Sequence, residues 1–244
     1  MHEKLLITDK NILWSSLNPT VDKDAESLLK GLSNCTVEHL DNGVTAFTLG
    51  GDALLPFNLK FGRNIIYSRP DYPSLLEKIR SLESVVLTSN PGIGKSMFQF
   101  YYLVRISNPE LLRTQPLPPD SWGSTEPPEV VIQQVGDDRM FIYFIKAQRV
   151  YRIGSNRNVF DCFDPKTTLY LHEPEASRSE PMWGRVYCSI RSTVPPDTIR
   201  YKQFIKNGGV KLYMPLPTKS DSLSMGEHLR GYFFYYYYYH RYII

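Results

Sequence analysis

The segment Ser89–Ser96 (SNPGIGKS) constrains the fold of this chain more than any other stretch. A short β-branched, apolar run, Ser84–Thr88, comes directly before it, and an apolar run, Met97–Ile106, comes directly after it. The first run predicts a buried strand and the second a helix that is covered nearly all round. A glycine-containing turn between a strand and a helix gathers backbone N–H groups around an anion. The sequence therefore predicts a phosphate-binding loop, or P-loop, at residues 89–96.

The chemistry of the motif G-x-x-x-x-G-K-[ST] assigns a role to each part of this loop. We expect Lys95 to reach the β- and γ-phosphates of a nucleotide and Ser96 to coordinate Mg²⁺. Ser89 stands where glycine is usual, and a small serine is compatible with the turn that leaves the strand. ATP and Mg²⁺ are the predicted ligands. The predicted nucleotide-binding residues are Ser89, Asn90, Pro91, Gly92, Ile93, Gly94, Lys95, Ser96 and Met97. The alternative is a chance Gly-Lys-Ser at a helix start, and the flanking strand and helix argue against it.

The remaining patterns predict an α/β fold with a central, mostly parallel sheet and an inserted β-hairpin. Amphipathic helices are expected over Asp22–Leu32 and over Asp71–Arg80, with Asp71 as a capping residue. The hairpin is expected from Val130–Val135 and Met140–Ile145, which four residues separate. Further strands are predicted at Val44–Leu49, Val150–Ile153, Val159–Phe163, Thr168–Leu171 and Arg185–Ile190. The proline-rich stretch Gln115–Pro128 predicts an exposed surface loop.

Composition narrows the classes of function. A hydrophobic content of 42% suits a globular core, and a net charge of +3 is too small to argue by itself for nucleic acid or a membrane. No apolar run is long enough for a membrane span, and the first residues lack the pattern of a signal peptide. The three cysteines, Cys35, Cys162 and Cys188, have no C-x-x-C spacing. We expect them to be reduced, mostly buried thiols in an intracellular compartment.

Hydrolysis of a nucleotide needs a second acid at the end of a neighbouring strand. The best candidate is Glu173, which closes the strand Leu169–His172, and we expect it near the Mg²⁺ ion. Another register would put His172 at the metal and leave Glu173 to activate water. Asp137 and Asp138 are rivals that suit a hairpin turn better. A carboxylate that simply meets solvent at a strand end is the remaining alternative.

Two further roles are assigned from position alone. Ser192 follows the end of the strand predicted at Arg185–Ile190 and stands next to Thr193. It is expected to sense the γ-phosphate. Arg200, with Arg191 as an alternative, is expected to stabilise the charge that develops on the phosphate. The predicted catalytic set is thus Lys95, Glu173, Ser192 and Arg200, with Ser96 and Glu173 on Mg²⁺.

Several segments together resemble the P-loop domain of Crinkler-type proteins, which are effector-like proteins of oomycetes and some fungi and are similar to trypanosome retrotransposon hot-spot proteins. The resemblance covers about residues 60–217 and is carried by Phe61–Arg69, Asp71–Glu77, Ser89–Ser96, Val130–Val135, Thr168–Pro174, Arg200–Lys206 and Tyr213–Pro215. It implies an ATPase module of the additional-strand type, coupled to a separate toxin-like or nuclease-like effector domain. It also implies secretion into a host cell and action in its nucleus. The family normally has aspartate where this chain has Glu173.

We therefore expect three parts: an N-terminal extension of unassigned fold (1–60), a P-loop NTPase domain (61–217) and a poorly ordered, low-complexity aromatic tail (218–244). The expected function is binding of ATP–Mg and its hydrolysis. The alternatives are a nucleotide switch without turnover, a degenerate protein-interaction module, and a nucleic-acid-associated effector fragment. The expected partners are a nucleotide and a separate effector domain or a host protein. A membrane partner is not expected, and DNA stays open.

Overall fold

The computed structural model describes seven stretches of the chain, and the account below concerns these alone. They are residues 13–56, 64–88, 94–135, 139–154, 156–173, 189–193 and 209–228.

The strands of the protein form two sheets. In chain order they are β1 (Thr20–Val21), β2 (Thr36–His39), β3 (Thr45–Thr48), β4 (Ile65–Ser68), β5 (Ser84–Thr88), β6 (Val130–Val135), β7 (Arg139–Phe144), β8 (Arg149–Gly154), β9 (Thr168–Glu173), β10 (Ser189–Thr193) and β11 (Val210–Tyr213). The main sheet has the order β1-β8-β7-β6-β9-β10-β5-β11, and β2, β3 and β4 form a second, antiparallel sheet.

The main sheet has a parallel and an antiparallel half. Strands β6, β9, β10, β5 and β11 are parallel to one another. Strands β7, β8 and β1 extend the sheet beyond β6 in antiparallel fashion. The hairpin of β6 and β7 pairs Val135 with Arg139, so three residues connect the two strands. The predicted α/β class, the largely parallel centre and the hairpin are all confirmed.

Five helices surround these sheets in the described ranges. They are α1 (Lys23–Ser33), α2 (Tyr72–Arg80), α3 (Lys95–Ser107), α4 (Pro109–Thr114) and α5 (Lys219–His228). The side chain of Asp22 caps α1 by accepting the N–H of Ala25 at 3.0 Å, as its acidic start suggests. Asp71 precedes α2 without a capping hydrogen bond, so that part of the prediction is wrong. None of these helices has the length and apolarity needed to cross a membrane.

The two faces of the main sheet are buried against different elements. Alternation along each strand sends Val131, Leu169 and Leu171 into a large core that also contains the apolar sides of α1, α2 and α3. Val130, Ile132 and Tyr170 point the other way, into a smaller core closed by Val159 and Phe160. Helix α1 belongs to the large core and β1 to the main sheet. Residues 13–56 are thus built into the same body as the described part of the predicted NTPase region.

One predicted strand is wrong. Residues Val159–Phe163 fall largely in a 3-10 helix over Arg157–Cys162, which the side chain of Asn156 caps by accepting the N–H of Asn158 at 2.9 Å. Consecutive Val159 and Phe160 are both buried, which the alternation of a strand does not produce. The predicted strand at Arg185–Ile190 reaches described residues only at 189 and 190, where β10 begins. The strands expected at Val44, Val150 and Thr168 are confirmed with small shifts of their ends.

The thiols and the C-terminal region add two observations. Cys35 and Cys162 are buried and unbridged, and burial raises the pKa of the Cys35 thiol; Cys188 lies outside the described residues. Residues Lys219–His228, placed by the sequence in the aromatic tail, form α5, which buries Met225 against the second sheet. The aromatic run itself lies outside the described residues.

The proline-rich stretch is irregular, as predicted, but one buried arginine holds it against the core. The guanidinium of Arg80, 3% exposed, donates to the carbonyl oxygens of Pro118 at 2.6 Å, Ser124 at 3.0 Å and Glu126 at 3.3 Å. Leu117, within the same stretch, is 2% exposed. The loop is therefore part of the folded body.

Replacing Arg80 by alanine should lower the free energy of unfolding by about 2–4 kcal/mol. The variant lacks the buried guanidinium, so the three carbonyl groups lose their hydrogen-bond donor. Urea denaturation measures the change, and chymotrypsin should cut faster after Trp122, which lies within residues 115–128. Arg113→Ala is the matched control, since Arg113 is 73% exposed and pairs with Glu110 at the surface. Equal unfolding midpoints for the two variants would contradict the anchoring role of Arg80.

Candidate functional site

The predicted P-loop joins a strand with a fully buried centre to a helix that is buried nearly all round. Val85, Val86 and Leu87 of β5 are each 0% exposed, because β5 lies between β10 and β11 and is covered on both faces. Helix α3 buries eleven of its thirteen residues, in agreement with the prediction of a helix covered nearly all round. The connecting residues Ser89, Asn90, Pro91, Gly92 and Ile93 lie outside the described residues. Both anchors of the loop are therefore fixed by the core.

Gly94 begins α3 in a conformation that glycine favours. Its φ is +95°, in the left-handed region, and a Cβ atom at this position would lie 3.1 Å from the hydroxyl oxygen of Tyr72. That hydroxyl donates a hydrogen bond of 3.2 Å to the carbonyl oxygen of Gly94. The second glycine of the motif is thus required by the backbone and by a close neighbour at once.

The three residues after Gly94 form the first turn of α3. The side chain of Lys95 is buried, with 7% exposure, while Ser96 and Met97 are partly exposed. Met97 packs against the large core. A helix N-terminus carries partial positive charge, and its first N–H groups have no acceptor within the helix. Lysine, serine and backbone N–H groups therefore occupy the same turn, which is the set of groups that phosphate binding needs.

The parallel strands bring the predicted second acid to the same edge of the sheet. Glu173 is the last residue of β9, and β10 lies between β9 and β5. Two strand intervals make about 10 Å between the ends of β9 and β5. Ser192 pairs with Leu87 in the β10–β5 register, so position 192 lies between those two ends. Position 173 has the same parity along β9 as Leu169 and Leu171, which face α3.

His172 lies on the other face of the sheet. Its ring stacks on Tyr170, with 5.9 Å between the ring centroids and 10° between the planes, and Tyr170 belongs to the smaller core. Helix α3 contributes only to the large core. The alternative in which the His172 side chain holds the metal beside Lys95 therefore has no support in the geometry of β9.

A buried chain of hydrogen bonds links α3 to the end of β9. Tyr143 donates to Gln133 at 2.8 Å, and Gln133 donates to Gln99 of α3 at 3.3 Å. Gln99 in turn donates to the main-chain oxygen of His172 at 3.5 Å, and burial raises the pKa of the Tyr143 hydroxyl. Gln99 lies one turn beyond Lys95. This series of hydrogen bonds was not predicted from the sequence. The available signal was a pair of glutamines, Gln99 and Gln133, in otherwise apolar runs.

Arg69 joins the start of α2 to the segment after β11. Its guanidinium forms an ion pair of 3.1 Å with Asp71, donates to the carbonyl oxygen of Pro215 at 3.0 Å and lies 5.1 Å from the centroid of the Tyr72 ring. Burial raises the pKa of the Asp71 carboxyl, and the Arg69 charge opposes that effect. The sequence predicts Asp71 as a helix cap and includes Arg69 only within the segments that carry the resemblance. Nothing in the spacing of Arg69, Asp71 and Pro215 signalled that they meet.

The other candidate residues are not brought to this edge by described contacts. Asp137, Asp138 and Arg200 lie outside the described residues, and the side chains of Arg191 and Glu173 do as well. Asp164 caps a 3-10 helix that precedes β9, by accepting the N–H of Lys166 at 2.9 Å, so its role is local, as expected. Within the described ranges, no group of three or more His, Cys, Asp and Glu side chains could hold a metal ion.

Comparison of the chain with protein-family models, with curated proteins and with solved structures finds no match.

Replacing Gly94 by alanine should lower the free energy of unfolding by more than the same change at Gly51. Both glycines have positive φ, +95° and +62°, so each variant bears a backbone cost of about 1–2 kcal/mol. A Cβ at Gly51 meets nothing within 4 Å, whereas one at Gly94 crowds the Tyr72 hydroxyl. Chemical denaturation of the two variants isolates the contact with Tyr72. Equal losses would show that this contact imposes no constraint.

Proposed function

We propose that this chain is a P-loop nucleotide-binding domain of the additional-strand type, which binds ATP with Mg²⁺ and hydrolyses it. The observation that carries the proposal is the strand order: β10 is inserted between β5, which leads into the motif, and β9, which ends in the acid. An additional strand between the P-loop strand and the acid-bearing strand is the defining arrangement of that type. The left-handed Gly94 and the burial of Lys95 at the start of α3 support a nucleotide as ligand.

In this proposal catalysis rests on positioned charge. The first-turn N–H groups of α3 and the Lys95 ammonium bind the β- and γ-phosphate oxygens and stabilise the negative charge that grows during bond cleavage. Glu173 orients the attacking water and accepts its proton, while Ser192 contacts the γ-phosphate from the intervening strand. Ser96 and Glu173 would hold Mg²⁺, which supplies neutralising charge for the phosphates when bound. Arg200 supplies further positive charge.

A nucleotide switch without turnover is the second candidate. One feature favours it: position 173 holds glutamate, whereas the resembling family normally has aspartate. The extra methylene lengthens the arm and changes the geometry toward the metal. The resemblance also motivates a proposal about the partner, namely a separate effector domain or a host protein that responds to the bound nucleotide.

Lys95→Ala should raise the dissociation constant for a fluorescent ATP analogue at least about tenfold in the presence of Mg²⁺, because a charge-assisted contact to phosphate is lost. Titration of the wild type and the variant measures the change. Lys78→Ala is the matched control, since Lys78 is an exposed lysine of α2. A folded wild-type protein that binds no ATP, or equal affinities for the two lysine variants, would contradict the proposed site.

Glu173→Gln should release phosphate about 100-fold more slowly and need a higher Mg²⁺ concentration, because the neutral amide neither accepts a proton from water nor holds Mg²⁺ as the carboxylate would. Steady-state phosphate release measures the rate. Asp137→Asn and Asp138→Asn test the rival acids in the same assay. Loss of phosphate release in either of these and not in Glu173→Gln would transfer the catalytic role to the hairpin. Binding without release in the wild type would favour the switch.

A further inference from the structure

The carbonyl oxygen of Gly94 accepts two hydrogen bonds from different directions. The N–H of Phe98 donates to it at 2.9 Å, as the first bond of α3. The hydroxyl of Tyr72 donates to the same oxygen at 3.2 Å from helix α2. One bond along the helix axis leaves the peptide unit free to tilt, and the second restricts that tilt. The plane of the Gly94–Lys95 peptide is therefore set by two separate elements.

The orientation of this peptide decides where the Lys95 N–H points. A peptide unit is planar and trans, so the N–H of one residue is antiparallel to the C=O of the residue before it. Holding the Gly94 oxygen toward Phe98 and Tyr72 directs the Lys95 N–H away from the helix, toward an anion at its N-terminus. This N–H is one of the donors that cradle the phosphates in the proposed function.

Tyr72 is itself held in place from several sides. It is 2% exposed, and its ring makes an edge contact with Phe98, with 5.1 Å between the centroids and 81° between the planes. Tyr101 packs on it at 5.3 Å. Arg69, 3% exposed, covers the ring while it binds Asp71 and the Pro215 carbonyl. The hydroxyl cannot leave Gly94 without disturbing this packing.

We propose that Tyr72 is a positioning residue for the Lys95 N–H at the start of α3, and that Arg69 connects it to residues 214–217 after β11. This inference rests on the proposed function and adds a residue to it. Tyr72 does not touch the nucleotide; its hydroxyl orients a backbone N–H before the ligand arrives. Such preorganisation raises affinity for the di- or triphosphate group in particular. The effect is expected on phosphate binding and not on nucleobase binding, because the Lys95 N–H is a donor of the proposed phosphate cradle.

Tyr72→Phe removes the hydroxyl and keeps the ring, so it tests the proposal. The dissociation constant for a fluorescent ATP analogue should rise about 3- to 10-fold. The inhibition constant of inorganic pyrophosphate in competition should rise by the same factor, and a melting curve that shows the variant folded at the assay temperature excludes partial unfolding as the cause. Tyr101→Phe is the matched control: it removes a buried hydroxyl that accepts from Arg105 at 3.2 Å, away from the loop. Its affinity should equal that of the wild type.

The outcomes separate this inference from the proposed function. A wild-type protein that binds no ATP overturns both. Wild-type binding with unchanged affinity in Tyr72→Phe overturns the positioning role alone, as does a loss for the ATP analogue without a loss for pyrophosphate.

Arg69→Lys provides a second variant should Tyr72→Phe fail to fold. Lysine keeps a charge near the ring and cannot span both Asp71 and the Pro215 carbonyl, so the dissociation constant should rise at least about twofold. If Arg69 acts through Tyr72, the double variant binds no more weakly than Tyr72→Phe. Unchanged affinity in Arg69→Lys, or additive losses in the double variant, would overturn the connection to residues 214–217.

Discussion

The candidate site depends on the burial of β5 and α3 on either side of one short connection. Val85, Val86 and Leu87 have no exposed surface, and Phe98, Leu103 and Ile106 of α3 have none either. Only five residues, 89–93, join the end of β5 to Gly94. Neither anchor can shift without opening the core, where loss of apolar contact is costly. The position and direction of the first turn of α3 are therefore consequences of core packing.

The parallel half of the sheet adds the second element of the site. Parallel strands end at one edge, so the ends of β5, β10 and β9 meet there without any specific contact between their side chains. The buried chain from Tyr143 through Gln133 and Gln99 then relates α3 to β9 in register. Buried amides favour one arrangement over others when their hydrogen bonds are satisfied. A purely apolar contact at this place would permit the helix to slide.

The second sheet and the C-terminal helix extend the structure on the side of Arg69. His228 at the end of α5 lies 2.9 Å from the Tyr67 hydroxyl and 3.0 Å from the Glu38 carboxylate, while Asn42 donates to Ser224 at 2.9 Å. Through Tyr67 and Ser68, strand β4 leads directly to Arg69. The segment that ends in α5 thus reaches the neighbourhood of Gly94 by two routes, the chain after β11 and the strand before α2.

By itself, the amino-acid sequence determined the local features of this protein. The apolar run of β5, the largely apolar α3, the hairpin of β6 and β7 and the glycine before Lys95 follow from periodicity and backbone sterics, which act over a few residues. The same reasoning failed at Val159–Phe163, where the sequence predicted a strand and the chain forms a 3-10 helix that Asn156 caps. It also failed at Asp71, whose carboxylate forms an ion pair with Arg69 and does not cap α2. The assignment of ATP, Mg²⁺, Glu173, Ser192 and Arg200 stays a prediction.

Only the tertiary structure decided which distant residues share the site. It inserted β10 between β5 and β9, placed the His172 ring on the far face and brought Tyr72, Arg69 and Pro215 together beside Gly94. These relations depend on strand order and on the packing of helices over a sheet, and both are set by the sum of many weak contacts over the whole chain. No local pattern records that sum. The sequence therefore specified β5, α3 and the glycine between them at position 94, and the fold specified what surrounds them.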